Sequence, residues 1–280
     1  RAIARSMFRH LGRCAFELAC IRQVDASIDA WVEWPEPDRL VLQSSLARGK
    51  GVVFVSGHVG NWELLARRVA LAGFPCQTIA KETTDPRLTA LIERFRSSAK
   101  LKSIWRGQGG AAKQMLRALR AGEVLGLLID QDTRVQSLFV PFFGHPASTP
   151  RAAADLAGRT GAAVVLGFCQ RVNGRYRISM REVPPPEAAD REIFSQELTA
   201  RLTAGIEQAI WYLSLYKQPE WEWGDPNYTG VVTNARDSAF ALTATGKCWG
   251  TRLNDNYPNG IYYQEKLVSP EFTSSTANPI

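Results

Sequence analysis

The sequence predicts an α/β protein: a central, largely parallel sheet flanked by helices, followed by a C-terminal tail of different character. Three observations predict it. Apolar runs of strand length alternate with stretches of helical period; no internal repeat competes with that order; and the composition shifts sharply near Pro219. At 45% hydrophobic and 22% charged residues the chain can bury a core, and 280 residues suffice for one large domain with an appended segment.

The elements follow in order. Arg1, Arg5, Arg9 and Arg13 recur every fourth residue while Ile3, Met7, Leu11 and Leu18 lie off that stripe, so the chain opens with an amphipathic helix bearing a basic face. Such a helix either lies on a membrane surface or packs on its own domain with the charges solvated. Past the Trp31–Pro37 stretch, Asp38 is placed to cap a short helix ending near Gly49, and 51–56 forms a buried strand. Further strands are expected near Gln77–Ala80, Lys102–Trp105, Val124–Ile129 and Ala163–Phe168. Helices separate them at Asn61–Leu71, Pro86–Ala99, Gly109–Ala121 and Pro150–Arg159. This βα alternation requires crossover connections, hence parallel strands with helices on both faces. Arg175–Met180 alternates as one more strand, and Arg191–Tyr216 is a closing helix carrying Leu198, Leu202 and Ile206.

Two domains are therefore expected, residues 1–220 and a tail, 221–280. The tail holds six of the eight asparagines and lacks periodicity, which allows irregular structure, a small β element or a segment of different origin. Net charge is +7 overall, but residues 1–220 carry +9, with 30 Lys/Arg against 21 Asp/Glu. That balance favours phosphates, anionic membrane surfaces or an acidic protein partner. Nucleic acid is not expected, because the arginines are dispersed and no nucleic-acid-binding signature accompanies them. Five scattered cysteines with no C-x-x-C pair suit reduced thiols, and no apolar run approaches the roughly 18 residues of a membrane span.

Chemistry concentrates after the strand 51–56. His58 and Glu63 are five residues apart; on one continuous helix their side chains would diverge by about 140°. His58 is thus expected in the strand-to-helix turn and Glu63 in the first helical turn, where its carboxylate reaches one ring nitrogen and leaves the other facing a pocket. Gly57 and Gly60 permit the turn, and Asn61 is the N-cap candidate. This pair is a general base with an orienting acid, suited to deprotonating a hydroxyl as it attacks a thioester. Asp130-Gln-Asp132 ends an apolar strand and should place at least one carboxylate at the same sheet edge. A single D-x-D without a neighbouring His is a weak metal signal, so positioning of Arg134, Arg94 or substrate hydroxyls is preferred, with Asp130 the favoured member. The Phe139–Pro150 loop, with two more phenylalanines and His145, either walls an apolar groove or caps the sheet. No G-x-S-x-G elbow, Walker A loop or G-x-G-x-x-G fingerprint is present.

Ser56-Gly-His-Val-Gly-Asn-Trp-Glu-Leu-Leu65, Leu128-Ile-Asp-Gln-Asp132, Val140-Pro-Phe-Phe-Gly144 and Ala157–Val165 together resemble the late acyltransferases of lipid A biosynthesis, over residues 1 to about 210. The resemblance implies an acyltransferase-like fold and transfer of a fatty acyl group from acyl-carrier protein to a phosphorylated glycolipid, with catalytic His58 and Glu63. It also implies that Arg94 binds substrate; Asp130 and Asn61 are expected to join it in substrate binding, and neither a cofactor nor a metal is expected. A lysophospholipid, glycerolipid or mannosylated lipid is the alternative acceptor, and a non-catalytic lipid- or carrier-binding homologue the alternative class. The expected location is the cytoplasmic face of the inner membrane, peripheral or anchored by a segment preceding Arg1. The basic ending usual in that family is replaced here by a mildly acidic tail.

Overall fold

The computed structural model describes residues 2–107, 109–172, 174–216, 221–224, 241–242 and 248–251. Helix α1 (Ala2–Ala19) is followed by two short helices, α2 (Ile21–Ala26) and α3 (Ile28–Trp31), a two-residue strand β1 (Val32–Glu33) and α4 (Glu36–Leu46). Helix α4 starts earlier than Asp38 would set as a cap: Pro35 precedes it, and the Asp38 carboxylate instead accepts from the Met180 backbone N–H at 2.6 Å. The βα alternation then runs β2 (Val52–Ser56), α5 (Trp62–Leu71), β3 (Cys76–Lys81), α6 (Pro86–Ser98), β4 (Lys102–Arg106), α7 (Ala111–Arg120) and β5 (Val124–Leu128). A hairpin, β6 (Ser137–Phe142) and β7 (His145–Pro150), leads to α8 (Ala152–Thr160), β8 (Ala163–Val172), β9 (Arg175–Glu182) and α9 (Arg191–Tyr216).

Seven strands form one sheet in the order β1-β9-β8-β2-β5-β3-β4. Every pairing in it is parallel except β8 with β9. The predicted fold class is the observed one. Strands β2 and β8 are buried along nearly their whole length, as both-faces-covered parallel strands must be, whereas β9 alternates buried and exposed. Right-handed crossovers put α5 and α6, which lead outward to β3 and β4, on one face, and α7 and α8, which lead back, on the other. Helices α7 and α8 accordingly touch.

Chain direction also locates a crevice. From β2 the chain departs toward β3; from its neighbour β5 it departs toward β8, on the opposite side of β2. The carboxyl ends of β2 and β5 therefore flank a topological switch point, where open α/β sheets leave a crevice.

The expected loop 139–150 is instead the β6–β7 hairpin. Its two central residues, Phe143 (φ 50°) and Gly144 (φ 73°), both take the left-handed conformation that two-residue hairpin turns require. The chain divides into two compact units, Arg1–Val140 with Pro146–Ala209, and Pro141–His145 with Ile210–Ile280. Within the second unit, among the described residues, β10 (Trp221–Gly224), β11 (Ala241–Leu242) and β12 (Cys248–Thr251) pair antiparallel in the order β10-β12-β11. The rest of the expected tail lies outside the described residues.

Candidate active site at the carboxyl ends of β2 and β5

Parallel register builds the site. Ser56 of β2 pairs with Leu128 of β5, so the residues two places beyond each, His58 and Asp130, emerge side by side at the switch point. Asp130 holds His58 with both oxygens: Oδ1 accepts from the ring Nδ1 at 2.8 Å, and Oδ2 accepts from the His58 backbone N–H at 2.6 Å. A carboxylate can only accept, so a neutral imidazole in this contact carries its proton on Nδ1 and its lone pair on Nε2. The Asp130 side chain is 10% exposed and that of His58 31%, which leaves the histidine open on its far side. Trp62 packs edge-on against the imidazole, with 4.7 Å between ring centroids, and fixes its plane.

The turn carrying His58 is stitched to β8. Gly60 bridges to Cys169, and the Asn61 N–H donates to the Cys169 carbonyl at 2.8 Å. Gly60 has φ +66°, and a β-carbon there would lie 2.0 Å from the Cys169 carbonyl oxygen, so only glycine allows the turn to approach β8. Asn61 caps α5 as expected, its side-chain oxygen accepting from the Leu64 N–H at 3.0 Å.

Glu63 stands in the first turn of α5, as the spacing required, but the expected hydrogen bond to His58 is made by Asp130 instead. The Glu63 carboxylate is gripped by Arg96 near the end of α6, through both Nη2 and Nε, the latter at 3.2 Å. The reason is reach: Asp130 approaches Nδ1 along the sheet edge from the adjacent strand, while Glu63 lies on the side of α5 that faces α6. Arg94 is exposed on α6, away from both cavities described below, and Arg96 two residues later is the arginine that enters them. Asn61 is 3% exposed, with its amide spent on the cap and on Glu17. It shapes the turn from beneath and has no surface to offer a ligand.

Two adjoining cavities meet here. The larger, about 520 Å³, is lined by His58, Trp62, Gln131 and the inward faces of α7 and α8, and its cationic side chains, Lys81, Arg96, Arg106, Arg151 and Arg159, outnumber the single carboxylate of Asp155. The smaller, about 60 Å³, lies between α5 and the sheet. Alternate residues of three strands line it, Phe54 and Ser56, Cys76 and Thr78, Val124, Gly126 and Leu128, together with Leu65, Ala66 and Val69. It extends roughly 13 Å down the strands from their carboxyl ends to Val124. Trp62, Ile79, Arg96, Leu127 and Leu128 border both. Arg96 Nη1 is buried with no hydrogen-bond partner among the described residues. Burial beside the sheet pushes the Cys76 thiol up to about 12, with the Glu123 carboxylate adding to the effect, so it is an apolar lining group rather than a nucleophile. Among the described residues no three His, Cys, Asp or Glu side chains cluster to hold a metal ion.

Residues 1–215 match the bacterial lipid A biosynthesis acyltransferase family. The chain belongs to that family. Among the relatives of this family member are the phosphatidylinositol mannoside acyltransferases of two strains of Mycobacterium tuberculosis and of Mycolicibacterium smegmatis. They are 24% identical over 184 residues, 64% of this chain, and the match spans 57% of the M. tuberculosis proteins and 60% of the M. smegmatis protein. The chain thus covers less than two thirds of the length of these curated relatives.

Proposed function

We propose that the protein transfers a fatty acyl group from a thioester donor to a hydroxyl of a phosphorylated glycolipid, with His58 as general base. The observation that carries this is the orientation of one side chain: Asp130 binds Nδ1 and presents the Nε2 lone pair to a cavity with a cationic wall and an apolar arm. As the acceptor oxygen attacks the thioester carbonyl, its proton passes to Nε2 and Asp130 stabilises the imidazolium. The C–O bond forms, the tetrahedral oxyanion collapses, the C–S bond breaks, and the departing thiolate takes the proton from Nε2. No acyl-enzyme intermediate is needed. Arg96, held by Glu63, supplies the buried N–H and positive charge that suit the developing oxyanion. Glu63 then acts through Arg96 rather than on the histidine.

The apolar arm suits the acyl chain. Acyl-carrier protein is the donor on this reading, because an acidic carrier complements the excess of positive charge on residues 1–220. The acceptor is a lipid A precursor or a mannosylated phospholipid; both are phosphorylated glycolipids that suit the cationic wall, and the mannoside-acylating relatives favour the second. Such substrates place the protein at a membrane surface, for which the inner membrane's cytoplasmic face is proposed. Among the described residues no helix is long and apolar enough to cross a bilayer.

The test is transfer from radiolabelled acyl-carrier protein and acyl-coenzyme A to tetra-acylated lipid A precursor, phosphatidylinositol mannoside and lysophospholipid in mixed micelles. Product with any of these acceptors, lost in His58→Ala, supports the reaction class. Silence with all of them contradicts it.

A further inference from the structure

Helix α1 has two working faces. The outer one exposes Met7 (51%), Phe8 (69%), Leu11 (43%) and Phe16 (70%) to solvent, flanked by exposed Arg5, Arg9 and Arg13, none of them in an ion pair among the described residues. The inner one grips the turn that carries His58. His10 Nε2 donates to the Gly60 carbonyl at 2.8 Å, and Glu17, 5% exposed, accepts from Asn61 Nδ2 at 2.8 Å and from the Tyr176 hydroxyl at 2.7 Å, with Arg171 at 3.8 Å. Gly60 and Asn61 lie two and three residues beyond His58. A carboxylate this deeply buried is tolerable only while its partners are in place. Displacing α1 would therefore leave Asn61 and Tyr176 unsatisfied as well and release the turn from beneath, so the contact is made or broken as a unit.

We propose that α1 couples membrane seating to catalytic order: its outer face docks on an anionic bilayer, and its inner face, through His10 and Glu17, then holds the Gly57–Asn61 turn in the geometry that keeps His58 on Asp130. Charge selects the occupant. Aromatic and aliphatic side chains bordered by unpaired arginines match a surface that is apolar below and anionic above, which an anionic lipid bilayer supplies. His10 and Glu17 are positioning residues, acting on the base through Gly60 and Asn61. Turnover rests on the acyl-transfer reading; seating and ordering do not.

Full-length protein is mixed with phosphatidylcholine vesicles with and without phosphatidylglycerol, and amide hydrogen exchange across residues 57–61 is followed alongside turnover. Anionic vesicles should slow exchange in that segment about tenfold, the scale of one secured hydrogen bond. A Phe8→Ser/Phe16→Ser variant should lose both vesicle binding and the slowing. His10→Ala should bind vesicles like wild type and melt at a similar temperature, yet show no slowing and a kcat lower by about tenfold with donor KM unchanged. His10→Gln, whose amide can again donate to Gly60, should restore most of both. Exchange across 57–61 that ignores bound vesicles, or wild-type kcat in His10→Ala, would overturn the coupling. Vesicle-dependent slowing in a protein that transfers no acyl group would sink the acyl-transfer reading and leave the coupling standing.

Discussion

Replacing Asp130 by Asn separates the two carboxylates that contend for the role of orienting His58. In the wild-type chain both Asp130 oxygens accept from His58, one from the backbone N–H and one from Nδ1–H. An asparagine offers one acceptor and one donor. The backbone N–H can only donate, so it claims the amide oxygen and the NH₂ faces Nδ1. The imidazole must then accept at Nδ1 and carry its proton on Nε2, which removes the lone pair from the cavity. The same tautomer error in a Ser-His-Asp triad costs about 10⁴ in kcat, or roughly 5 kcal/mol of transition-state stabilisation. We expect a loss of about 10²–10⁴ in kcat for Asp130→Asn with little change in donor KM. Glu63→Gln leaves the histidine untouched and weakens only the hold on Arg96, for which about tenfold is expected, shared between kcat and KM. The assay is initial rate at saturating donor and acceptor for both variants. Asp130→Asn within tenfold of wild type, or Glu63→Gln as damaging as Asp130→Asn, would refute the assignment and return the orienting role to Glu63.

Three further outcomes follow from the same geometry. Gly60→Ala combines a left-handed backbone with a contact of 2.0 Å to Cys169, and urea denaturation should show a loss of about 2–5 kcal/mol; a change below 1 kcal/mol, roughly the cost of an ordinary surface substitution, would contradict it. A β-carbon at Gly126 would sit 3.2 Å from the Thr78 methyl in the apolar cavity, so Gly126→Val should shift preference toward shorter acyl donors. A fall of about 10–200-fold in kcat/KM is expected for the longest, read from a donor-length series, and equal losses at every length would contradict the placement of the chain. Burial raises the thiols of Cys14 to about 11 and Cys76 to about 12 from 9.0, so above pH 9 the unfolded chain releases protons that the folded one keeps. Stability should be unaffected by these groups below about pH 9 and fall as pH rises toward 12, measurable as a declining urea midpoint, with Cys76 inert to iodoacetamide in the folded state near neutral pH.

Much of the frame was legible because periodicity and element length carry it: α9 has the bounds its pattern predicts, and β2, its glycine turn and the Asn61 cap follow from 51–63 alone. Even the shared edge for His58 and an aspartate of 130–132 could be read. Their pairing could not, since it depends on β5 lying next to β2, and strand order is set by where crossovers return, which no local pattern records. Glu63 was favoured because it is near in sequence; Asp130, 72 residues away, is nearer in space. The arginine was a different kind of miss. On α6 the inward stripe runs through Thr89, Ile92, Phe95, Arg96 and Ala99, and Arg94 is off it, so helix phase was the signal that separates the two. The hairpin at 137–150 was obscured by prolines and by a Phe-Gly turn in place of the usual Asn-Gly. The links from α1 to the turn are tertiary, and nothing in the basic stripe announces what His10 and Glu17 hold.

The central claim is that His58, aligned by Asp130, takes the acceptor's proton through Nε2. Its most direct test is single-turnover acyl transfer by wild type and His58→Ala, with preloaded acyl donor and the acceptor that the panel identifies, and with intact-protein mass followed in parallel. The account predicts product from wild type with no acylated protein at any time, and a rate lower by at least about 10²-fold in His58→Ala. Wild-type rates in His58→Ala, or an acyl adduct on the protein that forms and decays with turnover, would contradict it.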